Sequence, residues 1–537
     1  MAIAPLRGLG DIGIITDREP WDLPPNALSN GSNIRFINGK ITKGPVFKGV
    51  LNPTATTPVF SYTYMVPGQN DKIGIVNNNG NSYFYTNGVE TSTTPAVFTP
   101  TTSNQPFTFC VLGGVGYLNR NSDVPQYILP AGTQYTKLAN WTATHTCRSL
   151  RSFKNFLVAI NVTKAGTNSP QMFKWSDVAL YNSIPVSWDP ADTTKSAGEN
   201  TLSEATSALV DGMPLRDMFV IYSQNECFMV QYTGDNNVFN FRKLFDTLGA
   251  IGTNCVVEVE GKHYVFGKND IYVHDGTSFD SIAKDKVKDY IFNNLNMASA
   301  EQFYVHYNPL MSEIWFCYVS GDSETYFKNT TYPNKAMVFN ITNGTWAPRD
   351  LPNVSSMTLA STPQSLTWSA DTRTWDQATS TWYSLQGQAP KLTFSTSVIN
   401  TGFGVTASRL VGFDSPYTGY LIPPVTSELN APSWAYRTGI DFDELGKNIR
   451  DYLVIRTIYP QAKEFGNPSI LQFQFGASLV PEANITLSTA VTYDPSVDYK
   501  VDTMFGGRFL SWKVTDVTPY PFELTGFDFD YSIVGKR

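Results

Sequence analysis

The four histidines carry the chemistry that would be easiest to recognise, since imidazole serves both as a general base and as a metal ligand. They are His145, His263, His274 and His306. None lies in an HxH or HExxH pattern, and no two of them have helical spacing. We therefore expect packed or surface imidazoles, with neither a metal site nor a catalytic base.

Motifs for nucleophilic catalysis and phosphate binding are also missing from the sequence. It contains no G-x-S-x-G, no P-loop and no G-x-G-x-x-G that follows a strand. The glycine run at residues 113–116 fits the tight turn of a hairpin better than a phosphate cradle. The sequence predicts no bound cofactor.

Paired carboxylates offer the serious enzymatic alternative, because β-propellers also host glycosidases that use Asp and Glu pairs. Two turns, at residues 274–279 and 342–346, resemble the Asp-box of sialidases. In both, the polar residue before glycine would cap the turn, and the aromatic that follows, Phe279 or Trp346, would plug the sheet. That role is structural, so we expect no enzyme. A glycan-binding or glycan-cleaving propeller is the alternative, with Trp375 and Trp382 as stacking platforms.

Composition indicates a globular all-β protein. The 537 residues are 42% hydrophobic and 14% aromatic but only 16% charged, which suits pleated, half-buried surfaces rather than disorder. The net charge of −7 argues against a duplex-binding surface, which would need clustered Lys and Arg. Two interpretations of the acidic balance stay open: a ring with an acidic inner wall that repels DNA, or a solubilising surface.

The cysteines and the apolar runs indicate folding in a reducing compartment. The five cysteines show no CxxC spacing and favour buried free thiols. Residues 1–8 lack the apolar core of a signal peptide, and no later run reaches the roughly 18 apolar residues of a membrane span. We expect a cytoplasmic fold without a membrane-spanning segment.

Six β-hairpins organise the sequence between about residues 55 and 350. Most are joined by turns rich in Asn, Asp and Gly, which tolerate the positive φ of tight hairpin turns. Their starts lie roughly 35 to 60 residues apart, as propeller blades do. We predict a β-propeller of about six blades, with a pair of β-sandwiches as the alternative. The hairpins pair residues 72–76 with 82–85, 107–112 with 115–118, 155–160 with 171–175, 218–222 with 227–232, 263–266 with 271–273, and 313–318 with 335–340.

Three parts are predicted along the chain. Residues 1–54 form an N-terminal segment that packs on the β core, 55–400 the propeller with loop insertions, and 401–537 an additional C-terminal domain resembling a β-sandwich. Residues 360–400, rich in Ser, Thr, Trp and Gln, are typical of a loop or linker. One helix is predicted at residues 284–295, where four side chains share a face: Val287, Tyr290, Ile291 and Leu295.

Four stretches of the chain resemble motifs of one family of virion proteins. Residues 22–41, with Pro24, Arg35 and Gly39, are similar to its opening motif. Residues 173–177, 212–217, 229–234, 249–252 and 272–276 follow in the family's order. Residues 450–460 resemble one of its later strands, and residues 507–512 with 526–530 resemble its closing strands. The family comprises the tail nozzle proteins of short-tailed bacteriophages (podoviruses), also called tail tubular protein B, and the related packaged-DNA stabilisation proteins.

The resemblance implies a structural role in the virion tail, after assembly in the cytoplasm of the bacterial host. A hexameric ring of propeller-bearing subunits would lie beneath the portal and the adaptor and continue the DNA channel. It would retain packaged DNA, allow its transient passage at ejection, and bind tail fibres or spikes. A glycan-binding or glycan-cleaving tail component, or a cellular interaction hub, remains the alternative. The structural positions marked are Pro24, Arg35, Gly39, Arg216, Arg456 and Gly526, and Gly212, Gly252 and Gly276 as turn glycines.

Overall fold

The computed structural model is built almost entirely of β-strands. It describes residues 2–44, 47–51, 58–66, 68–69, 71–77, 80–86, 89–94, 105–235, 237–322, 325, 327, 332–360, 391–396, 410–413, 432–441, 451–464, 470–481, 485–516, 518 and 521–536.

Five strands come first in the chain, and they join three different sheets. The turn between the third and the fourth has positive φ at both Asn38 and Gly39, the geometry that two-residue hairpins favour. These strands are β1 (Ala2–Arg7), β2 (Asn30–Ser32), β3 (Ile34–Ile37), β4 (Lys40–Lys43) and β5 (Phe47–Leu51). A short 3-10 helix, Pro20–Asp22, lies between β1 and β2.

Six four-stranded antiparallel sheets follow, each formed by four consecutive strands. Each contains one of the six predicted hairpins as its middle or first pair. The first three sheets are β6 (Pro58–Tyr64), β7 (Lys72–Asn77), β8 (Ser82–Thr86), β9 (Val89–Ser92); β10 (Phe107–Leu112), β11 (Val115–Arg120), β12 (Gln126–Ile128), β13 (Thr136–Lys137); and β14 (His145–Phe153), β15 (Phe156–Lys164), β16 (Thr167–Trp175), β17 (Gly198–Thr201). The next three are β18 (Leu209–Leu215), β19 (Met218–Ser223), β20 (Cys227–Tyr232), β21 (Phe239–Phe245); β22 (Val256–Val259), β23 (Lys262–Phe266), β24 (Ile271–His274), β25 (Phe279–Ser281); and β26 (Tyr304–Asn308), β27 (Glu313–Tyr318), β28 (Lys335–Asn340), β29 (Trp346–Asp350).

A seventh four-stranded sheet combines distant parts of the chain. It consists of β30 (Val354–Ala360), β31 (Lys391–Thr396), β32 (Leu410–Phe413) and, at its edge, β5. The described residues thus form seven four-stranded sheets, one more than the six predicted hairpins. The prediction of a loop or linker was wrong for residues 391–396, which form β31.

The seven sheets follow one another as the blades of a propeller-like array. Their first strands contact each other in chain order, and β30 contacts β6. Each neighbouring pair shares a hydrophobic cluster, including the seventh sheet and the first, where Ala360 packs with Ile73 and Ile75. Hydroxyls join the same two sheets, with 2.7 Å from Ser61 N to Ser356 Oγ and 2.8 Å between Thr63 Oγ1 and Thr358 Oγ1. β5 lies before β6 in the sequence. A strand from the start of the chain therefore completes the seventh sheet, whose other strands follow the sixth sheet.

Two larger sheets pack face to face around a separate core, in what we call the two-sheet unit. One has the order β3-β4-β39-β34-β37, with β1 beside β39, and the other the order β2-β33-β38-β35-β36. Segments 1–54 and 401–537 therefore share both sheets, while β5 and β32 belong to the array. The domain boundaries at residues 54 and 400 stay predictions. The later strands are β33 (Ser433–Asp441), β34 (Asp451–Glu464), β35 (Leu471–Ser478), β36 (Val491–Tyr493), β37 (Val501–Gly507), β38 (Phe509–Asp516) and β39 (Phe522–Lys536).

Helix is scarce in the described residues. The predicted helix at residues 284–295 is shorter in the structure, where α1 covers Lys288–Asn293. The Ala283 carbonyl ends the preceding turn by accepting hydrogen bonds from the backbone N–H groups of Lys286 and Val287. A 3-10 helix, Met297–Gln302, follows. No described helix has the length and apolar character needed to cross a membrane.

Candidate functional site at the centre of the array

A partly buried polar network joins the innermost strands of four successive sheets. Asp211 of β18 accepts hydrogen bonds from Ser149 Oγ at 2.6 Å and from Arg151, whose Nε lies 2.9 Å from Oδ1 and Nη2 2.6 Å from Oδ2. Asn254, just before β22, donates its backbone N–H to Asp211 at 2.8 Å and its side-chain N–H to the Phe107 carbonyl at 2.9 Å. The Asn254 side-chain oxygen, Oδ1, accepts a hydrogen bond from Arg151 Nη2 at 2.7 Å. We call these five residues the axial network.

The charges of the axial network are matched. Burial raises the pKa of Asp211, but the Arg151 guanidinium and the hydrogen bonds from Ser149 and Asn254 outweigh that effect and hold the pKa below its ordinary value. Burial lowers the pKa of Arg151, and the Asp211 carboxylate outweighs it, so that the pKa is raised. The pair is therefore ionised, and no net charge faces the centre of the array from it.

The axial network links sheets that are not neighbours in the array. The hydrogen bond from Asn254 to the Phe107 carbonyl connects the fifth sheet to the second, which are not neighbours in the array. The major groove of a DNA duplex is by itself about 12 Å wide. A duplex cannot pass between two groups that lie within hydrogen-bonding distance, so none can pass between the second and the fifth sheet at this level.

A second buried cluster links the fourth and fifth sheets through a tyrosine between two histidines. The Tyr222 hydroxyl lies 2.6 Å from His263 Nδ1 and 2.6 Å from His274 Nε2. His263 Nε2 lies 2.8 Å from the Pro214 carbonyl, and Gly276 N lies 3.2 Å from His274 Nδ1. We call Tyr222, His263 and His274 the tyrosine–histidine chain.

The hydrogen-bond partners of the tyrosine–histidine chain determine which of its nitrogen atoms carry a hydrogen. A carbonyl only accepts, so His263 Nε2 carries a hydrogen and Nδ1 accepts from the Tyr222 hydroxyl. A backbone N–H only donates, so His274 Nδ1 accepts from Gly276, and Nε2–H donates to the Tyr222 oxygen. Every polar atom of the three side chains is paired and both imidazoles are neutral. Burial lowers the pKa of His263 to about 3 and that of His274 to about 4.

The structure corrects the prediction that the histidines are scattered. His263 of β23 and His274 of β24 face each other in the register of one hairpin. Both are buried, as the sequence analysis expected for packed imidazoles. Because their nitrogens are occupied by internal hydrogen bonds, the arrangement stabilises the join between two sheets.

One ion pair and two hydrogen bonds hold the two-sheet unit against the sixth sheet. Arg35 of β3 forms a bidentate pair with Glu313 of β27, with Nε 2.5 Å from Oε1 and Nη2 2.8 Å from Oε2, and both side chains are buried. Asn33 donates its side-chain N–H to Asp350 Oδ2 at 2.8 Å and accepts from the Asp350 backbone N–H at 2.9 Å. These contacts fix the orientation of the unit relative to the sixth sheet.

The predicted structural positions do not converge on one site. Arg35 lies in the interdomain ion pair, and Pro24 accepts a backbone hydrogen bond from Ala27 and one from Arg437 Nη2. Gly39 and Gly276 lie in turns with positive φ, as does Arg216. Leu215, next to Arg216, lies 3.2 Å from where a Cβ on Gly276 would be, so these two turns are neighbours.

The remaining positions have other roles. Gly212 was predicted as a turn glycine, but it lies within β18, where a Cβ would approach the Phe219 ring to 2.4 Å. Gly252 lies before β22 and faces the Ala300 carbonyl. Arg456 is exposed at a bulge of β34, and Gly526 lies in β39, where a Cβ would lie 2.2 Å from the Leu6 carbonyl oxygen.

The two Asp-box-like turns are capped as predicted, but only one plugs its sheet. Asp275 Oδ1 accepts from the N–H groups of Thr277 and Ser278, and Asn343 Oδ1 accepts from that of Thr345. Trp346 is buried, whereas Phe279 is 53% exposed, so its predicted plugging role was wrong. Trp375 and Trp382 lie outside the described residues.

The thiols match the prediction. All five cysteines are free, and Cys147, Cys227, Cys255 and Cys317 are buried while Cys110 is half-buried. Burial raises the pKa of the Cys110 thiol to about 12. In the part of the chain that the structure describes, no three His, Cys, Asp or Glu side chains are grouped as a metal site would require.

Comparisons with known proteins give only distant likenesses. Neither a family model nor a curated protein matches the chain. The WD40 β-propeller domain of Doa1 gives a TM-score of 0.37 at 9% identity, covering 68% of this chain and 96% of that one. YCF48 bound to D1 peptide gives 0.36 at 9%, covering 70% and 97%. The computationally designed Ika8 protein gives 0.34 at 9%, covering 58% and 93%.

Proposed function

We propose that this chain is a structural, non-enzymatic subunit of the tail nozzle of a short-tailed bacteriophage. Six copies would form a ring beneath the portal and adaptor, retain the packaged DNA and let it pass during ejection. The proposal assigns the seven four-stranded sheets to a seven-bladed propeller rather than one of about six blades, and the two-sheet unit to a separate domain that includes strands from both ends of the sequence.

The axial network is the observation that directs the mechanism. Because the axial network leaves no passage between the second and the fifth sheet, the proposal puts the DNA channel between subunits, along the symmetry axis of the hexamer. Each subunit then forms one rigid part of the channel wall. The buried ion pair between Arg35 and Glu313 supports this role, since it fixes the angle between the two-sheet unit and the array.

Cyclic symmetry places a further requirement on the subunit. A closed ring needs a heterologous interface, in which one surface of each copy binds a different surface of the next. The proposed partners are six copies of this chain, the adaptor above them, and fibres or spikes on the outside. DNA would pass without sequence-specific contacts.

Mass photometry and negative-stain electron microscopy of the purified protein, alone and with its adaptor, test the proposal. We expect hexamers and six-fold rings with a central opening wide enough for a duplex. Monomers under both conditions, at the ionic strength of an intact virion, would contradict the nozzle function. A glycan screen on the same sample addresses the carbohydrate alternative, which the proposal expects to show no binding.

A further inference from the structure

A small cavity lies where the two-sheet unit meets the sixth sheet. Its volume is about 10 Å³, which is room for one water molecule or one monatomic ion. Residues 34–36 of β3 line one side, and most of the other lining residues belong to β27, β28 and β29. All the lining residues are buried except Asn340, which is half-buried. A small ligand can therefore enter past Asn340. We call this space the joint cavity.

The wall of the joint cavity carries an excess of positive charge. Its ionised side chains are those of Arg35, Arg349 and Glu313, two guanidinium groups against one carboxylate. Both oxygens of that carboxylate already accept hydrogen bonds from Arg35. The neighbouring carboxylate of Asp350 does not line the cavity and accepts a hydrogen bond from Asn33. One positive charge on the wall is therefore left without a negative charge on the wall to match it.

Arg35 supplies a buried donor for a ligand in the joint cavity. Its Nε and Nη2 both bind Glu313. Within the part of the chain that the structure describes, no hydrogen bond uses its third nitrogen, Nη1. The residue is only 7% exposed, and a buried donor of a charged group is costly unless an acceptor meets it. Because Arg35 lines the cavity, a ligand there is in a position to accept from Nη1.

Arg349 supplies the second positive charge. It is buried, and its guanidinium carbon lies 6.0 Å from the centroid of the Trp315 ring. Burial and, after it, the charge of Arg35 lower the pKa of Arg349 to about 9, and the carboxylates of Glu313 and Asp350 offset only part of that effect. A guanidinium keeps its charge in a protein. A negative charge in the joint cavity would therefore stabilise Arg349 in its charged form.

We propose that the joint cavity binds one small inorganic anion, chloride in ordinary salt solutions, through Arg35 and Arg349. A water molecule would satisfy the free donor of Arg35 but would leave the positive charge unmatched, whereas a monatomic anion does both. The small volume excludes large organic anions such as gluconate. Since β3 and the sixth sheet both line the cavity, the bound ion would stabilise the joint between the two-sheet unit and the array. The inference concerns a single chain and does not depend on the proposed function.

Bromide tests the site directly, because it is a monatomic anion like chloride and scatters X-rays anomalously. Crystals of the full chain grown in sodium bromide should show an anomalous peak inside the joint cavity, next to Arg35 and Arg349. A cavity that contains only water, with no anomalous peak, would overturn the proposal.

Thermal unfolding tests the site in solution. Chloride is varied while sodium gluconate keeps the ionic strength constant. A ligand that binds only the folded chain raises the unfolding temperature with the logarithm of its concentration. For 537 residues, we expect a rise of about 1 °C for each tenfold increase in chloride above its dissociation constant. Bromide should act in the same way, and an unfolding temperature that ignores both halides would overturn the proposal.

Two variants assign this response to the joint cavity. Val338→Ile adds a methylene group to the cavity wall and should abolish the chloride response. Val305→Ile is the matched control, because Val305 is buried in the same sheet but packs on its other face, and it should respond as wild type does. Arg349→Met removes one of the two positive charges at similar length and should abolish the response too. If Arg349→Met fails to fold, Val338→Ile still decides the matter, since a chloride response equal to that of Val305→Ile would overturn the proposal.

Discussion

Replacing Tyr222 by phenylalanine should destabilise the array far more than the loss of one hydroxyl group suggests. The hydroxyl accepts a hydrogen bond from His274 Nε2–H and donates one to His263 Nδ1, both at 2.6 Å. Tyr222→Phe leaves one donor and one acceptor buried without a partner. Each such group costs about 1–3 kcal/mol, so for two groups we expect a loss of about 2–6 kcal/mol in the free energy of unfolding of the region around the fourth and fifth sheets.

Tyr272→Phe provides the matched control. Tyr272 is also buried in the fifth sheet, but its hydroxyl makes a single hydrogen bond, 3.1 Å long, to the Gly249 carbonyl. Its loss should cost about 1 kcal/mol. Urea unfolding followed by fluorescence gives the two free energies, and hydrogen exchange locates the change. If Tyr222→Phe costs no more than Tyr272→Phe, the assignment of protons along the tyrosine–histidine chain is wrong.

Three further predictions concern acid stability, the interdomain ion pair and the β1 edge. Both histidines of the tyrosine–histidine chain have folded pKa values far below the ordinary 6.5, because burial disfavours the charged imidazole. The unfolded state therefore binds two more protons than the folded state, so stability is complete above pH 6.5 and falls by about 3 kcal/mol per pH unit between about pH 6 and 4.5. Urea midpoints that stay constant from pH 6.5 to 5 would contradict this prediction. Glu313→Gln leaves Arg35 without its carboxylate partner and should lower the free energy of unfolding by about 3–5 kcal/mol. The control Asp217→Asn, in an exposed ion pair, should leave the unfolding midpoint unchanged. Equal effects of the two variants would refute the argument. Gly526→Ala places a methyl group 2.2 Å from a β1 carbonyl oxygen. It should lower the free energy of unfolding by about 1–3 kcal/mol and remove hydrogen-exchange protection from β1. The control Gly535→Ala, whose methyl group would have nothing within 4 Å, should have neither effect.

The sequence predicts those parts of the fold that depend on neighbouring residues. All six hairpins occur in the structure, because alternating apolar residues and turns rich in Gly and Asn act within about 30 residues. The seventh sheet could not be found in this way. It pairs β5 with β32, and nothing local relates residues 47–51 to residues 410–413.

The same limit applies to the candidate sites. Arg35 was singled out from a motif, but its partner Glu313 is 278 positions away. The approach of Asn254 to Phe107 spans 147 positions. The histidine pair was within reach, however: once the turn between Phe266 and Ile271 fixes the register of the hairpin, His263 must face His274.

An electron cryomicroscopy reconstruction of the assembled ring with DNA inside it tests the central claim most directly. The account predicts six copies of the chain around one channel, with the duplex on the six-fold axis between subunits and density for the axial network between the second and the fifth sheet of every array. A duplex that passes through the middle of an array, or an assembly with no channel between its subunits, would contradict the account.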